Sequence, residues 1–442
     1  MKWIVLILIT LALSLVFQMG LLAYAIYTLT AIAVGSRYLA NYWIRQLDAS
    51  RHVSHTQARV GDRVVVTLEL HNRGKLPIPW MLIEDVLPLK ALLHDPPALA
   101  VDGRRAVLAM FRPGKRLTVR YYLTCNRCGY FQIGPLLLET GDLFGLYRKF
   151  RLADVPEFLL VLPKPVPLAG YDLASRRPVG EVQLVHRLYE DPTRIAGVRE
   201  YQLGDPLRRV HWKATARTGK LHSKVYEPST LAGATLLLDF HRASLDPKHE
   251  PVRSQLIVTA AASIGQALYE MGQQVGLVSN GRDAADRVRV EGFRVPRVTR
   301  KTARRLASDE ILQARLRPVV VPNPRGPETL RRVMETLARL EPNDGLTLPQ
   351  LVAETAGRLP RDATVIAFVT DVTDEKRLVL RELVRQGYAV TAIVALYETY
   401  DFDEAAGPLI AAGIRNVQHL RDASAVATIC RRMLLHGVRM TG

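Results

Sequence analysis

The amino end of the chain is its most apolar stretch. No charged residue lies between Trp3 and Gly35, and this stretch is longer than the roughly 20 residues that one helix needs to cross a bilayer. The polar break Gln18-Met19-Gly20 falls near its middle. The pattern therefore predicts a transmembrane helical hairpin over residues 1–36, built from two short helices of about 15 residues each, a length that requires local bilayer thinning or helix association.

Basic residues flank this apolar stretch on both sides. Lys2 precedes it, and Arg37, Arg45 and Arg51 follow it. Because positively charged flanks stay on the cytoplasmic side, we expect a multi-pass protein of the cell membrane with its soluble domains in the cytoplasm. The alternative is a cleaved signal peptide or a single span, although no small-residue cleavage site precedes a polar mature start.

Residues 50–165 have the period of antiparallel strands. In the run VVVTLELH, alternate positions are consistently apolar, namely Val64, Val66, Leu68 and Leu70. Further strand-like runs, RLTVRYYLTC and PLLLET, are separated from others by the turn signals Asn72-Arg73-Gly74, Asp102-Gly103 and Arg112-Pro113-Gly114. Short alternating strands between Gly and Pro turns predict an antiparallel, immunoglobulin-like β-sandwich.

Residues 230–442 change to continuous apolar strands that alternate with helical patterns. The strands are ATLLLDF, QVGLVSN, ATVIAFVTD and AVTAIVAL, and the predicted helices cover 251–271, 327–340, 374–386 and about 423–436. Uninterrupted apolar strands are typical of a parallel sheet that is covered on both faces. We therefore predict a multi-domain chain that ends in a doubly wound α/β domain.

The charge of the chain is strongly positive. Its 442 residues include 60 Lys and Arg against 42 Asp and Glu, a formal net charge of +18. Such an excess favours anionic partners, including lipid headgroups. The basic residues are scattered over the sandwich, residues 190–224 and residues 294–332. Nucleic acid is therefore an unlikely partner, because nucleic-acid domains concentrate their basic residues.

The three cysteines do not describe a disulfide framework. Cys125 and Cys128 form a C-x-x-C, but a structural zinc site needs four ligands and no second pair lies near. A metal or redox role stays open beside the simpler interpretation, two ordinary thiols at the end of a strand.

Residues 190–228 contain a distinctive basic motif, REYQLGDPLRRVHWKATARTGKLHSKVYE. Asp205-Pro206 is a helix-start signal, so we predict a helix that ends near Thr218-Gly219. Arg209, Lys213 and Arg217 would share one face of this helix, and Arg208 would stack on Trp212 four residues later.

This cationic face has two interpretations. Arg208, Arg209, Trp212, Lys213 and Arg217 are candidate binding residues for an acidic protein surface, a lipid headgroup or a phosphate. Alternatively, the same charges form an internal ion network with nearby Glu200 and Asp205, which Arg199 joins.

The motif resembles a known family. Arg199-Glu200-Tyr201, Gly204-Asp205, Arg208, Val210, Trp212, Thr215-Ala216-Arg217 and Leu221 are similar to the signature of the bacterial family called domain of unknown function 58 (DUF58), and the upstream string CNRCGYFQIGPLLLETGDLFGLYRK is similar to its usual lead-in. The resemblance implies a two-span membrane anchor, a cytoplasmic body with a von Willebrand factor type A-like region over residues 230–442, and a MoxR-type AAA+ ATPase as partner. It implies no known reaction.

A type A-like region raises the question of a metal ion. That fold holds a divalent cation on D-x-S-x-S after the first strand and on a later aspartate. Here Asp239 and Asp371 match the aspartates, but His241 and Ala243 replace the serines. Mg²⁺ prefers oxygen ligands, so Asp239 and Asp371 make a degenerate site in which Mg²⁺ is a possible but disfavoured cofactor. The alternative is that both aspartates cap helices or pair with arginine.

We interpret the chain as a membrane-anchored cytoplasmic interaction or adaptor protein rather than an enzyme. One alternative is a metal-dependent hydrolase at the strand ends, with Asp239, His241 and Asp371. The sequence lacks G-x-S-x-G, G-x-x-x-x-G-K-[ST] and H-E-x-x-H, which disfavours the main hydrolase solutions. The other alternative is a binder of anionic lipid or nucleic acid through the basic helix.

Overall fold

The computed structural model of this chain describes residues 20–143, 145–168, 189–202, 210–229, 233–291, 315–322, 326–360, 363–414 and 416–429. These residues divide into two compact units, one up to Leu162 and one from Pro163 onward. Each unit has its own hydrophobic core, and each is described by itself.

The first unit is a helix followed by short strands. Its elements are α1 (Gly20–Gln46), β1 (Leu47–Val53), β2 (Gln57–Arg59), β3 (Arg63–Asn72), β4 (Ile78–Asp85), α2 (Leu89–Leu92), β5 (Leu99–Gly103), β6 (Ala106–Phe111), β7 (Arg116–Cys125), β8 (Gly129–Ile133), β9 (Leu136–Gly141), β10 (Arg148–Leu152) and β11 (Glu157–Leu162).

These strands form sandwich-like sheets. Two four-stranded antiparallel sheets have the orders β1-β3-β7-β5 and β10-β9-β4-β6, and a smaller sheet has the order β2-β11-β8. The apolar positions that alternate in the sequence are the buried positions of β3. Val64, Val66, Leu68 and Leu70 all lie in the core. The prediction of N-terminal β-sandwich-like sheets is therefore confirmed.

Helix α1 differs from the predicted second half of a hairpin. The prediction ends the apolar segment at residue 36, but the helix continues without a break to Gln46 because Ala40, Trp43 and Ile44 are buried against the sandwich. The first predicted span, residues 1–19, lies outside the described residues. Within residues 20–429 as described, none of the helices combines the length and the apolar character that crossing a membrane requires.

A buried ion cluster joins the strands of the first unit. Arg51 bonds Asp85 Oδ1 through Nη1 at 3.1 Å, Glu157 Oε1 through Nε at 3.3 Å and the Val155 carbonyl through Nη2 at 2.6 Å. The hydroxyl of Tyr121 donates to Asp85 Oδ2 at 2.6 Å. Burial raises the pKa of Asp85, while the Tyr121 hydrogen bond and the Arg51 charge lower it. The side chains of Arg51 and Asp85 are fully shielded from solvent.

The Arg51 side chain explains why a glycine stands at position 134, within the string that resembles the family lead-in. Gly134, in the Ile133-Gly134-Pro135 step, has a positive φ of +88°, and a Cβ atom there would lie 1.8 Å from Arg51 Nη1. Only glycine combines that backbone conformation with room for the guanidinium.

The second unit alternates strands and helices. Its elements are β12 (Tyr189–Glu200), α3 (Trp212–Thr218), β13 (His222–Ser229), β14 (Gly233–Leu238), α4 (Val252–Glu270), β15 (Gln274–Ser279), β16 (Arg282–Asp283), α5 (Ala284–Glu291), β17 (Val319–Val321), α6 (Pro327–Arg339), β18 (Leu340–Glu341), α7 (Leu348–Thr355), β19 (Ala363–Val369), α8 (Asp374–Arg385), β20 (Val390–Val394), α9 (Thr399–Ala411) and β21 (Asn416–His419). Residues 423–429 are also helical.

The central sheet of this unit has the order β17-β15-β14-β19-β20-β21. All neighbours are parallel except β17, which is antiparallel to β15. Every residue of β14 and β20 is buried, as expected where both faces of a sheet are covered. The predicted C-terminal α/β domain with a mostly parallel sheet is thus confirmed.

The connections of this sheet run outward in two directions. From β14 the chain goes to β15 on one side, and it later returns to β19 on the other side before continuing to β20 and β21. The sheet therefore has a topological switch point between β14 and β19. Open α/β sheets bind their ligands in the crevice beyond the strand carboxyl ends at such a point.

Candidate functional site

Two aspartates stand at the switch point of the sheet. Asp239 directly follows β14, and Asp371 follows β19 after Thr370. The strands are hydrogen-bonded in register, with Leu238 opposite Phe368, and the Asp239 amide donates to the Phe368 carbonyl at 3.1 Å. The parallel register thus brings the two predicted aspartates to one edge of the sheet.

Lys376 lies between these aspartates. Its Nζ is 2.6 Å from Asp239 Oδ2, it bonds Asp371 Oδ1, and it donates to Ser244 Oγ at 2.7 Å. An ammonium has three N–H donors and no acceptor, and here it makes two hydrogen bonds and one further ion pair. We call Asp239, Ser244, Asn280, Asp371 and Lys376 the strand-end cluster.

Asp239 is the fully buried member of the strand-end cluster. Its Oδ1 accepts from Asn280 Nδ2 at 2.8 Å and from the His241 amide at 3.2 Å. Its Oδ2 accepts from Ser244 Oγ at 3.0 Å and forms an ion pair with Lys376. A carboxylate has about four lone-pair positions. Three hydrogen bonds and one ion pair from the chain itself therefore engage both oxygens of Asp239.

The remaining polar groups of the cluster tie neighbouring loops together. Asn280 follows β15, and its Oδ1 accepts from the Phe240 amide at 2.6 Å. Ser244 ends a 3₁₀ turn, Arg242–Ser244, and its carbonyl accepts the Thr370 hydroxyl. The loops after β14, β15 and β19 are thus connected through side chains as well as through the sheet.

Helix α8 supplies the lysine. Thr373 caps its amino end by accepting from the Lys376 amide, and Lys376 shares the buried face with Leu380 and Leu383. A cation in the first turn of a helix is disfavoured by the helix dipole, and a buried charge is costly without partners. Local helix preferences do not explain this lysine, so we attribute its position to the two carboxylates.

The metal ion predicted as a possible cofactor does not fit this arrangement. Both oxygens of Asp239 already have partners in the chain, and a cation at Asp239 Oδ2 would lie beside the ammonium of Lys376. Ala243 has no donor atom, while His241 Nδ1 accepts from the Ala243 amide at 3.3 Å. In the described part of the chain, no three His, Cys, Asp or Glu side chains are grouped so as to hold a metal.

The alternative prediction for the two aspartates also needs a correction. They pair with a lysine and not with an arginine. Sequence reasoning missed Lys376, Ser244 and Asn280. Lys376 had a detectable signal, since it occupies a position of the apolar face of α8, at i−4 from Leu380 and i−7 from Leu383.

The basic motif folds differently from the prediction. The helix α3 begins at Trp212 and not near Asp205, because Val210 forms a β-bridge with Ser223 and His211 caps the helix. The predicted end is confirmed, since Gly219 caps the helix with a φ of 72°. Arg208, Arg209 and Asp205 lie outside the described residues.

Only part of the predicted cationic stripe lies within the described residues. The described helix carries Lys213 and Arg217 of this stripe, one turn apart and both exposed. Trp212, at 69% exposure, lies beside them. Glu200 of the suggested internal network forms an exposed ion pair with Lys220 at 3.4 Å, a type that contributes little.

The C-x-x-C sits in the sandwich. Cys125 and Cys128 are both buried thiols. Burial, with a smaller effect of Asp62, raises the pKa of Cys125 to about 11. Because the thiolate is the reactive and metal-binding form, this environment disfavours the metal or redox interpretation.

Comparison with known proteins supports the family resemblance. Residues 197–309 match the family described as protein of unknown function DUF58. A curated relative, Uncharacterized protein YeaD of Bacillus subtilis (strain 168), is 30% identical over 271 residues, which cover 60% of this chain and 64% of that protein. The chain therefore spans less than two thirds of the length of this relative.

Solved structures give weaker likenesses. Proximal thread matrix protein 1 from the mussel byssus has a TM-score of 0.30 at 13% identity and covers 46% of each chain. The pilus adhesin SpaC of Lactobacillus rhamnosus GG has a TM-score of 0.31 at 9% identity, covering 47% of this chain and 30% of its own. The PapD-like domain of human CEP192 has a TM-score of 0.16 at 11% identity, covering 26% and 86%. Scores this low support no statement about function.

Proposed function

We propose that this chain, a member of the DUF58 family, is an interaction or adaptor protein that works with a MoxR-type AAA+ ATPase at the cytoplasmic face of the cell membrane. It carries out no catalysis of its own. In this proposal the α/β domain contacts the partner with the carboxyl-end edge of its sheet.

The observation that carries the proposal is the closed hydrogen bonding of the strand-end cluster. Lys376 donates hydrogen bonds to Asp371 and Ser244 and forms an ion pair with Asp239, so its amino group is held by three neighbouring side chains. The Ser244 hydroxyl is held by donating to Asp239. General acid–base chemistry needs a group that can take or give a proton, and this arrangement favours a fixed recognition surface over a hydrolase site.

A type A-like fold for the second unit is part of the proposal. It is supported by the mostly parallel sheet and by the position of Asp239 and Asp371 at the switch point between β14 and β19. Such an edge is where doubly wound domains place their ligands. The cluster meets solvent there through Asp371, whose side chain is 40% exposed.

Membrane attachment is a further part. It is supported by the uncharged residues 3–35, by the basic residues on both sides and by the exposed apolar side chains of Leu21 and Tyr24 in the first turns of α1. The partner itself is suggested by the family resemblance, and residues 1–36 would hold the adaptor where that ATPase meets the membrane.

Affinity isolation of the full-length chain from detergent-solubilised membranes tests the partnership. We expect mass spectrometry to recover a AAA+ ATPase, in amounts that differ between ATP and no nucleotide. Asp371→Ala should reduce the recovery at least about tenfold, the effect of losing 1.4 kcal/mol of binding free energy.

Asp374→Ala is the matched control, because Asp374 is an exposed acid that lies three residues away and outside the cluster. It should leave the recovery unchanged. Repeated isolation without any AAA+ ATPase would refute the partnership, and equal recovery with Asp371→Ala would refute the proposed contact edge.

A second candidate function is supported by the exposed indole of Trp212 beside Lys213 and Arg217. An exposed aromatic ring with neighbouring cations suits an anionic lipid surface. Binding to vesicles with anionic lipid should then weaken steeply with salt and with Lys213→Glu. Binding that is indifferent to both changes would exclude this function.

A further inference from the structure

We infer that Lys376 is a built-in replacement for the divalent cation, so that the strand-end cluster is complete and fixed without any metal ion. This inference concerns the α/β domain alone and does not depend on the identity of a partner.

The first argument is geometric. The Lys376 ammonium bridges the buried carboxylate after β14 and the half-exposed carboxylate after β19. Two carboxylates at the ends of adjacent parallel strands repel each other unless a cation lies between them. Nζ lies within 2.6 Å of Asp239 Oδ2, and it contacts Asp371 and Ser244 as well. A single positive group thus holds the oxygens of three loop residues, as a cation would.

The second argument is the number of partners that the Asp239 carboxylate already has. Asp239 accepts three hydrogen bonds, from Asn280, the His241 amide and Ser244, and it forms an ion pair with Lys376. A magnesium ion requires near-ideal octahedral geometry at about 2.0–2.1 Å, and it would have to displace one of these donors. The positive charge at this position belongs to a side chain of the domain, so neither chelators nor low metal concentrations can remove it.

The third argument is position in the helix. Lys376 lies in the first turn of α8, where the dipole favours an acid. It is nevertheless nearly as buried as Leu380 and Leu383 on the same helix face. The carboxylates compensate a placement that is otherwise unfavourable, as expected when the lysine is required as a counter-ion.

The inference predicts a latent metal site under the lysine. Shortening Lys376 to alanine removes its contacts with Asp239 Oδ2, Asp371 Oδ1 and Ser244 Oγ. These are three hard oxygen ligands around an emptied cation position, the donor type that Mg²⁺ and Mn²⁺ prefer.

The experiment is thermal denaturation of the full-length chain in EDTA and in millimolar Mn²⁺. The wild-type chain should show the same Tm in both, within about 1 °C. Lys376→Ala should melt several degrees lower in EDTA and recover at least about 4 °C with Mn²⁺. The double variant Lys376→Ala, Asp371→Ala should lose that recovery.

Two outcomes overturn the inference. One is a wild-type chain that Mn²⁺ stabilises by several degrees, with the effect lost in Asp371→Ala. The other is a folded Lys376→Ala chain that is as unstable in Mn²⁺ as in EDTA.

If Lys376→Ala does not fold, Mn²⁺ binding to the wild-type chain tests the inference instead. Electron paramagnetic resonance measures this binding through the signal of free Mn²⁺. An undiminished signal of free Mn²⁺ supports the inference. Binding that disappears in Asp371→Ala overturns it, and neither result bears on whether a AAA+ ATPase is the partner.

Discussion

Two buried cations organise the two units of this protein in different ways. In the sandwich, Arg51 reaches Asp85, Glu157 and a backbone carbonyl, and the side chains of Arg51 and Asp85 are completely buried. In the α/β domain, Lys376 reaches Asp239, which is buried, and Asp371, which is 40% exposed. We call the first group the Arg51 cluster.

The difference in exposure separates a structural ion cluster from a cluster that can contact a partner. The Arg51 cluster has no side open to a partner at its central ion pair, so its role is to fix the strands. The strand-end cluster has one charged member at the surface and lies at the switch point of a parallel sheet. Buried ion pairs give weak net stability but strong penalties when broken. Both clusters should therefore be costly to disrupt, whereas only the second is placed for recognition.

The largest expected effect is that of Arg51→Met. The substitution leaves Asp85 buried without its cation, and we expect the free energy of unfolding to fall by about 3–5 kcal/mol. Urea denaturation of the full-length chain measures this change. Arg73→Met, at the exposed pair with Asp48, is the control and should cost less than about 1 kcal/mol. Similar losses in both variants would show that burial does not set the strength of the Arg51 cluster.

Lys376→Met should have a smaller effect, about 2–4 kcal/mol, since water can solvate the exposed Asp371 after the lysine is gone. Hydrogen exchange localises the damage. We expect faster exchange in β14 and β19 and no change in β3 and β4. Arg377→Met, which removes the neighbouring partner of exposed Asp374, should leave exchange unaltered. Faster exchange throughout both units would contradict the separate roles of the clusters.

Removing one hydroxyl from each cluster sharpens the comparison. Tyr121→Phe deletes the 2.6 Å hydrogen bond to Asp85, and Ser244→Ala deletes the 3.0 Å hydrogen bond to Asp239. We expect a loss of about 1.5–3 kcal/mol for the sealed Tyr121 and about 1 kcal/mol for Ser244, where water can substitute. Chemical denaturation of the two variants measures both values. A larger loss of stability for Ser244→Ala than for Tyr121→Phe would contradict the expectation that water reaches Ser244 more easily than Tyr121.

The smallest effect concerns pH and Cys125. Burial raises the pKa of this thiol from 9.0 to about 11. Between these values the folded chain binds more protons than the unfolded chain, so the contribution of the thiol to stability is complete below pH 9.0 and is lost as the pH rises towards about 11.

We expect the wild-type chain to lose about 1 kcal/mol more than Cys125→Ala over this interval. Denaturation of both chains at several pH values measures the difference. Identical slopes would mean that the thiol titrates normally and is open to solvent.

The sequence was sufficient where one physical signal dominated. The alternating Val64, Val66, Leu68 and Leu70 predicted a strand of the sandwich because one face of that sheet is buried. The continuous apolar strands predicted the parallel sheet, and their order placed Asp239 and Asp371 at strand ends of one sheet.

It was insufficient where tertiary pairing competes with local preference. Asp205-Pro206 is a strong local helix signal, but Val210 is in a β-bridge with Ser223, and the helix starts later. Helix α9 went undetected, since Gly407 and Pro408 are poor helix formers inside it. Lys376 was missed because its partners Asp239 and Ser244 lie more than 130 residues earlier in the sequence, although Asp371 is only five residues away.

A crystal structure grown in Mn²⁺ tests the central claim most directly. The account predicts no anomalous peak at Asp239 and Asp371, with electron density for the Lys376 ammonium in hydrogen-bonding contact with both carboxylates. A manganese peak between these carboxylates, with Lys376 turned away, would contradict it.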